Sequence, residues 1–72
     1  MPFDASTQAV MKKAYEGAVD QLSEQSVNLD ETTRRAMARA ILCMTRLGER
    51  NPETLMRYAA FKARTMLMGL DG

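Results

Sequence analysis

The stretch from Asp30 to Gly48, DETTRRAMARAILCMTRLG, constrains the fold more than any other part of the chain. It carries a helix start, a helix stop and two faces of opposite character. At about 100° per residue, Met37, Ala40, Ile41, Met44 and Leu47 fall on one side. Arg35, Arg39 and Arg46 fall on the other, joined by Arg50 if the turn persists that far. The apolar side has to be buried against neighbouring elements, and the rest of the chain supplies two more helices to do it.

The first helix is expected over residues 5–25, with Asp4 or Ser6 as N-cap, because either side chain can accept from the open N–H groups. Met11, Ala14, Tyr15, Ala18 and Leu22 form its apolar stripe, and Lys12, Lys13, Glu16, Asp20 and Glu24 its polar side. Gly17 interrupts this helix at the edge of the stripe, which suggests a close approach by another backbone. Periodicity fails from Ser23 to Asn28. The second helix, residues 31–47, is capped by Asp30 or by Asn28, and Gly48 supplies the left-handed residue that ends it. Asn51 and Pro52 then open a third helix over 52–68, ended by Gly69. Its broad apolar face holds Leu55, Met56, Ala59, Ala60, Ala63, Met66 and Leu67, with Leu70 as a possible continuation.

Three amphipathic helices with short turns make an all-α three-helix bundle with antiparallel neighbours. The expected core is Met11, Tyr15, Ala18, Leu22, Leu29, Met37, Ile41, Met44, Leu47, Leu55, Ala59, Ala63, Met66 and Leu67. Alanines on helices two and three suggest close packing between them, and seven methionines suggest an adaptable interior.

A chain of 72 residues is one domain with a thin core and a net stability of about 3–5 kcal/mol. One cysteine and no histidine leave no disulfide and no credible metal set, and no cofactor is expected. Ten basic against nine acidic residues argue against a polybasic arm or an acidic tail. The N-terminus lacks the pattern of a signal peptide, and no apolar run is long enough for a membrane span. These features point to a cytoplasmic protein, with no membrane and no small-molecule substrate implied.

The residues that do not fit a plain bundle are apolar side chains on the wrong side. Phe61 and Met68, seven apart on helix three, lie opposite its core face, with Arg57 and Arg64 running beside them. Leu42 lies among the arginines of helix two. A Phe–Met stripe framed by arginine has the composition of a protein interface. A wider core around a central helix three, or simple exposure, are the alternatives. The arginines of helix two could meet phosphates or carboxylates. The preferred reading is a solvated face balanced by Glu31, Glu49 and Glu53. Helix two, Gly48 and helix three could also form a helix-turn-helix DNA reader, but near-neutral charge and Phe61 on the exposed side of helix three disfavour it. Cys43 reads as a small buried hydrophobe, and without histidine it has no partner for nucleophilic chemistry. No pair of carboxylates sits where its acidity would be shifted, and an enzyme is the least expected class.

The segment from Leu29 to Tyr58, with L-D at a helix start, A-R-A-I-L inside it and G-E-R-x-P-E-x-L opening the next, resembles a pattern in small all-helical bacterial proteins. The resemblance spans a little under half the chain. It implies a compact helical protein of bacterial type and carries over no activity, cofactor or site residue. The function expected from the residues is a small non-enzymatic interaction or regulatory module. It would work through self-association or a protein partner, with Phe61 and Met68 as anchors, Arg57 and Arg64 as frame and Leu42 as a secondary contact. A nucleic-acid-binding module is the alternative.

Overall fold

Two aspartates, each three residues ahead of a threonine, start the first two helices. In the computed structural model, which describes residues 3–67, α1 spans Ala5–Glu24, α2 Glu31–Arg46 and α3 Pro52–Leu67. Asp4 accepts from the Thr7 N–H at 2.7 Å, and Asp30 from the Thr33 N–H at 2.8 Å. Asp30, not Asn28, is therefore the second cap, and Asp4, not Ser6, the first. Both threonines are buried beneath their caps. The third helix opens with Asn51, whose Oδ1 accepts from the Glu53 N–H at 2.9 Å, and with Pro52 in the first turn, where its missing N–H costs nothing. Met68, Gly69 and Leu70, which the sequence reading used at the end of this helix, lie outside the described residues.

α1 and α2 end in the same way. At the end of α2, the Gly48 N–H bonds the Thr45 carbonyl and the Glu49 N–H bonds the Met44 carbonyl, with Gly48 at φ 107. At the end of α1, the Ser26 N–H bonds the Ser23 carbonyl and the Val27 N–H the Leu22 carbonyl, with Ser26 at φ 60. This is the paired-bond helix stop that a left-handed residue permits. Val27 then folds back onto the core, so the bend at residues 23–28 delivers the chain into α2.

The result is an all-α three-helix bundle, with no strand among the described residues. α3 is the central element, packed extensively on both α1 and α2, which meet each other over much less surface. The core is Ala14, Ala18, Leu22, Met37, Ile41, Leu55, Ala59, Ala60 and Ala63, with Ala40 at its margin. Alanine, more than methionine, sets its character. Of the described methionines only Met37 is fully enclosed, while Met11, Met44 and Met56 pack against the edge with Tyr15 and Leu29. Small side chains let the helix axes approach closely, which is how so short a chain closes its interior.

Four expectations are corrected here. Leu47 is 79% exposed, because α2 stops at Arg46 and Leu47 is its C-cap. Its place on the inner side is taken by Thr45, which is fully buried with its hydroxyl donating to the Ile41 carbonyl at 2.7 Å. Leu67, expected in the core, is 45% exposed on the last described turn of α3. Cys43 is exposed, not buried. At Gly17 the close neighbour is a side chain and not a backbone: a Cβ there would stand 2.8 Å from Sδ of Met56.

Arg50 does not extend the stripe of α2, since it follows the helix stop. Its guanidinium donates to the Thr45 carbonyl at 2.6 Å and lies 6.0 Å from the centre of the Phe3 ring. It thereby holds the N-terminal segment against the turn between α2 and α3.

Candidate functional site

Arg35, Arg39, Leu42 and Arg46 recur at intervals of four, three and four along α2, so they form one outward line. Tyr58, Lys62 and Met66 recur at intervals of four along α3. An open surface depression of about 810 Å³ is lined by residues of both helices, among them Arg35, Arg39, Leu42 and Cys43 of α2 and Tyr58, Lys62 and Met66 of α3. A second, smaller hollow of about 460 Å³ continues it toward Leu47 and shares Arg39, Leu42 and Cys43 with the first.

The basic charge of this face is partly balanced, since Arg35 pairs with Glu31 and Lys62 is engaged as well. Arg35, Arg39, Arg46 and Lys62 line the two hollows, and no aspartate or glutamate does. Of the acids expected to balance the arginines, only Glu31 does so directly, with a contact of 3.2 Å to Arg35. Glu53 pairs with Arg57 at 2.7 Å. The Glu49 carboxylate accepts from the Arg50 and Asn51 N–H groups of its own turn. Arg39 and Arg46 make no ion pair or hydrogen bond among the described residues.

The residues singled out from the sequence are distributed as follows. Leu42 is half-buried and lines both hollows. Phe61 is 60% exposed, which removes the reading of it as part of a wider core. It stands one turn from Tyr58 on α3, outside the depression itself. Arg57 is engaged with Glu53, and Arg64 donates to Oε1 of Gln25 at 2.7 Å, tying α3 to the end of α1. Neither lines the depression. Met68 lies outside the described residues. Sequence reasoning missed Tyr58, 37% exposed, and the outward turn of Cys43 and Leu47. The spacing of Tyr58 with Lys62 and Met66 was a usable signal for the first. For Leu47 there was none, because its exposure depends on where α2 stops, whereas Cys43 lies inside α2 and its angular distance from Met37 and Ile41 was the signal.

Two carboxylates have shifted acidity, and both are caps. Asp4 is held below its ordinary value of 3.8 by the Thr7 hydroxyl first and the Thr7 N–H second. Asp30 is held below it by the Thr33 N–H and then the Thr33 hydroxyl. These shifts belong to helix capping and lie away from the depression. No helix among the described residues is long and apolar enough to cross a membrane. No family model, curated protein or solved structure matches the chain.

Proposed function

We propose that this protein is a small non-enzymatic interaction module that binds a protein partner through the outward face shared by α2 and α3. The support is the apolar surface that Leu42, Cys43 and Tyr58 offer beside Arg39, with Leu47 exposed next to Arg46 at the end of α2. Exposed aromatic and aliphatic surface beside arginine is the composition favoured where proteins meet. Phe61 widens the apolar area one turn beyond Tyr58. Part of the same proposal is a cytoplasmic setting, in which an exposed thiol such as Cys43 stays reduced.

Cys43 is the only cysteine, so it offers a direct test. A photoreactive maleimide on Cys43 is activated in the native cell extract, and the cross-linked species are identified by mass spectrometry. The proposal predicts a defined protein adduct that Leu42→Glu removes. The same label on Ser23→Cys in a Cys43→Ser background should not form it. Equal adducts from both positions, or none that depends on Leu42, would overturn the assignment. Adducts to nucleic acid alone would favour a nucleic-acid-binding module instead.

A further inference from the structure

The three helices are not held alike. α2 and α3 form a firm pair, packed extensively on each other. Their turn is closed by Gly48 at φ 107, by the Arg50 guanidinium on the Thr45 carbonyl, and by the Glu49 carboxylate on the Arg50 and Asn51 N–H groups. α1 lies mainly on α3 and meets α2, its neighbour in the chain, over much less surface. We infer that α1 is an exchangeable arm. It opens at Ser26, leaves its own α2–α3 pair and packs on the pair of a second copy of this chain, which returns its α1 in the same way. The outward face of α2 and α3 takes no part, so this does not rest on that surface.

The hinge is strained. Ser26, at φ 60, is the one non-glycine residue with positive φ among the described residues. That conformation costs an L side chain energy, whereas glycine adopts it freely. Little more than a turn earlier, Oε1 of Gln21 is buried with no hydrogen-bond partner among the described residues, a second cost at the same end of α1. Both are relieved when this end lifts into water. A short connection under strain, here residues 25–30, is the arrangement that favours exchange of an element between copies.

The exchange remakes what it breaks. Ala14, Ala18 and Leu22 enter an identical core on the partner. Two outer ties are remade with them. Arg64 donates to Oε1 of Gln25 at 2.7 Å, and Arg50 lies 6.0 Å from the centre of the Phe3 ring. In the exchanged form both arginines come from the other copy. Only the fold-back is given up, where the Val27 N–H bonds the Leu22 carbonyl and Val27 packs on the core. The monomer therefore dominates at low concentration and the two-fold dimer grows as concentration rises.

A disulfide reports which chain α1 sits on. A Cβ at Gly17 would stand 3.5 Å from Cγ of Met56. Gly17→Cys with Met56→Cys, in a Cys43→Ser background, therefore places two thiols within bonding reach across α1 and α3. The protein is concentrated, separated by size with light scattering, and each fraction is oxidised. The dimer fraction should run as joined chains on a denaturing gel without reductant, and the monomer fraction as single chains. A protein that stays monomeric at every concentration would overturn the inference. So would a dimer whose oxidised chains separate on the gel, since its contact would be between surfaces.

A series at Ser26 decides the matter if the disulfide does not form. Ser26→Gly should lower the dimerisation constant by about tenfold or more, because two hinges change in each dimer. Ser26→Val, with a branched side chain in the left-handed region, should raise it. A dimer indifferent to both changes would contradict the hinge. One that Leu42→Glu dissolves would put the contact on the outward face and end the exchange reading.

Discussion

Ser26 occupies at the end of α1 the backbone position that Gly48 occupies at the end of α2. Both carry positive φ, 60 and 107, and both close the same pair of bonds to the preceding turn. Only one of them is the residue for which that conformation is free of steric cost. Ser26→Gly should therefore raise stability by about 1 kcal/mol, the ordinary penalty of a side chain in the left-handed region. Urea unfolding measures it, and no gain would mean that the Ser26 turn relaxes in solution.

Ile41 inside α2 and Leu47 at its C-cap give a second contrast. Ile41 is enclosed, and its truncation to alanine should cost about 2–5 kcal/mol, enough to unfold much of so small a domain. Leu47→Ala should change stability by less than about 0.5 kcal/mol, because the side chain stands in water. Thermal unfolding followed by circular dichroism separates the two. A large loss for Leu47→Ala would put that side chain back in the core.

Gly17 and Met56 should be coupled. Alanine at 17 gains helix propensity of about 1 kcal/mol relative to glycine. Its Cβ, however, meets the Met56 thioether at 2.8 Å. The gain should be full when Met56 is already alanine and smaller by at least about 0.5 kcal/mol when it is not. An additive double-mutant cycle would contradict that contact.

Acid should weaken the bundle through its caps. The carboxyls of Asp4 and Asp30 are depressed below 3.8 in the folded state. The stability they contribute is present above that value, where both folded and unfolded forms are ionised. It is lost as pH falls through the lower folded-state value. Replacing both with Asn, which still caps, should flatten the acid limb of a stability–pH curve. An unchanged limb would place the acid sensitivity elsewhere.

The architecture was legible wherever it depends on local chemistry. Asn51 ahead of Pro52 is announced by residue type, whereas the second cap was left between Asp30 and Asn28 until the Thr33 N–H bond chose Asp30. What escaped depends on one-residue differences in where a helix ends. With α2 closing at Arg46, Leu47 turns outward, and Thr45, polar by type, fills the interior. Ser26 was obscure because glycine is the usual signal for that turn. At the candidate site, Leu42 stood out by its place among arginines. Tyr58 was passed over, although its four-residue spacing with Lys62 and Met66 was there to read.

The most direct measurement is the Cys43 cross-link in native extract, compared between the wild-type protein and Leu42→Glu. The predicted result is a defined protein adduct for the wild type and its loss in Leu42→Glu. An adduct indifferent to Leu42→Glu, or the same adduct from a label at position 23, would contradict it.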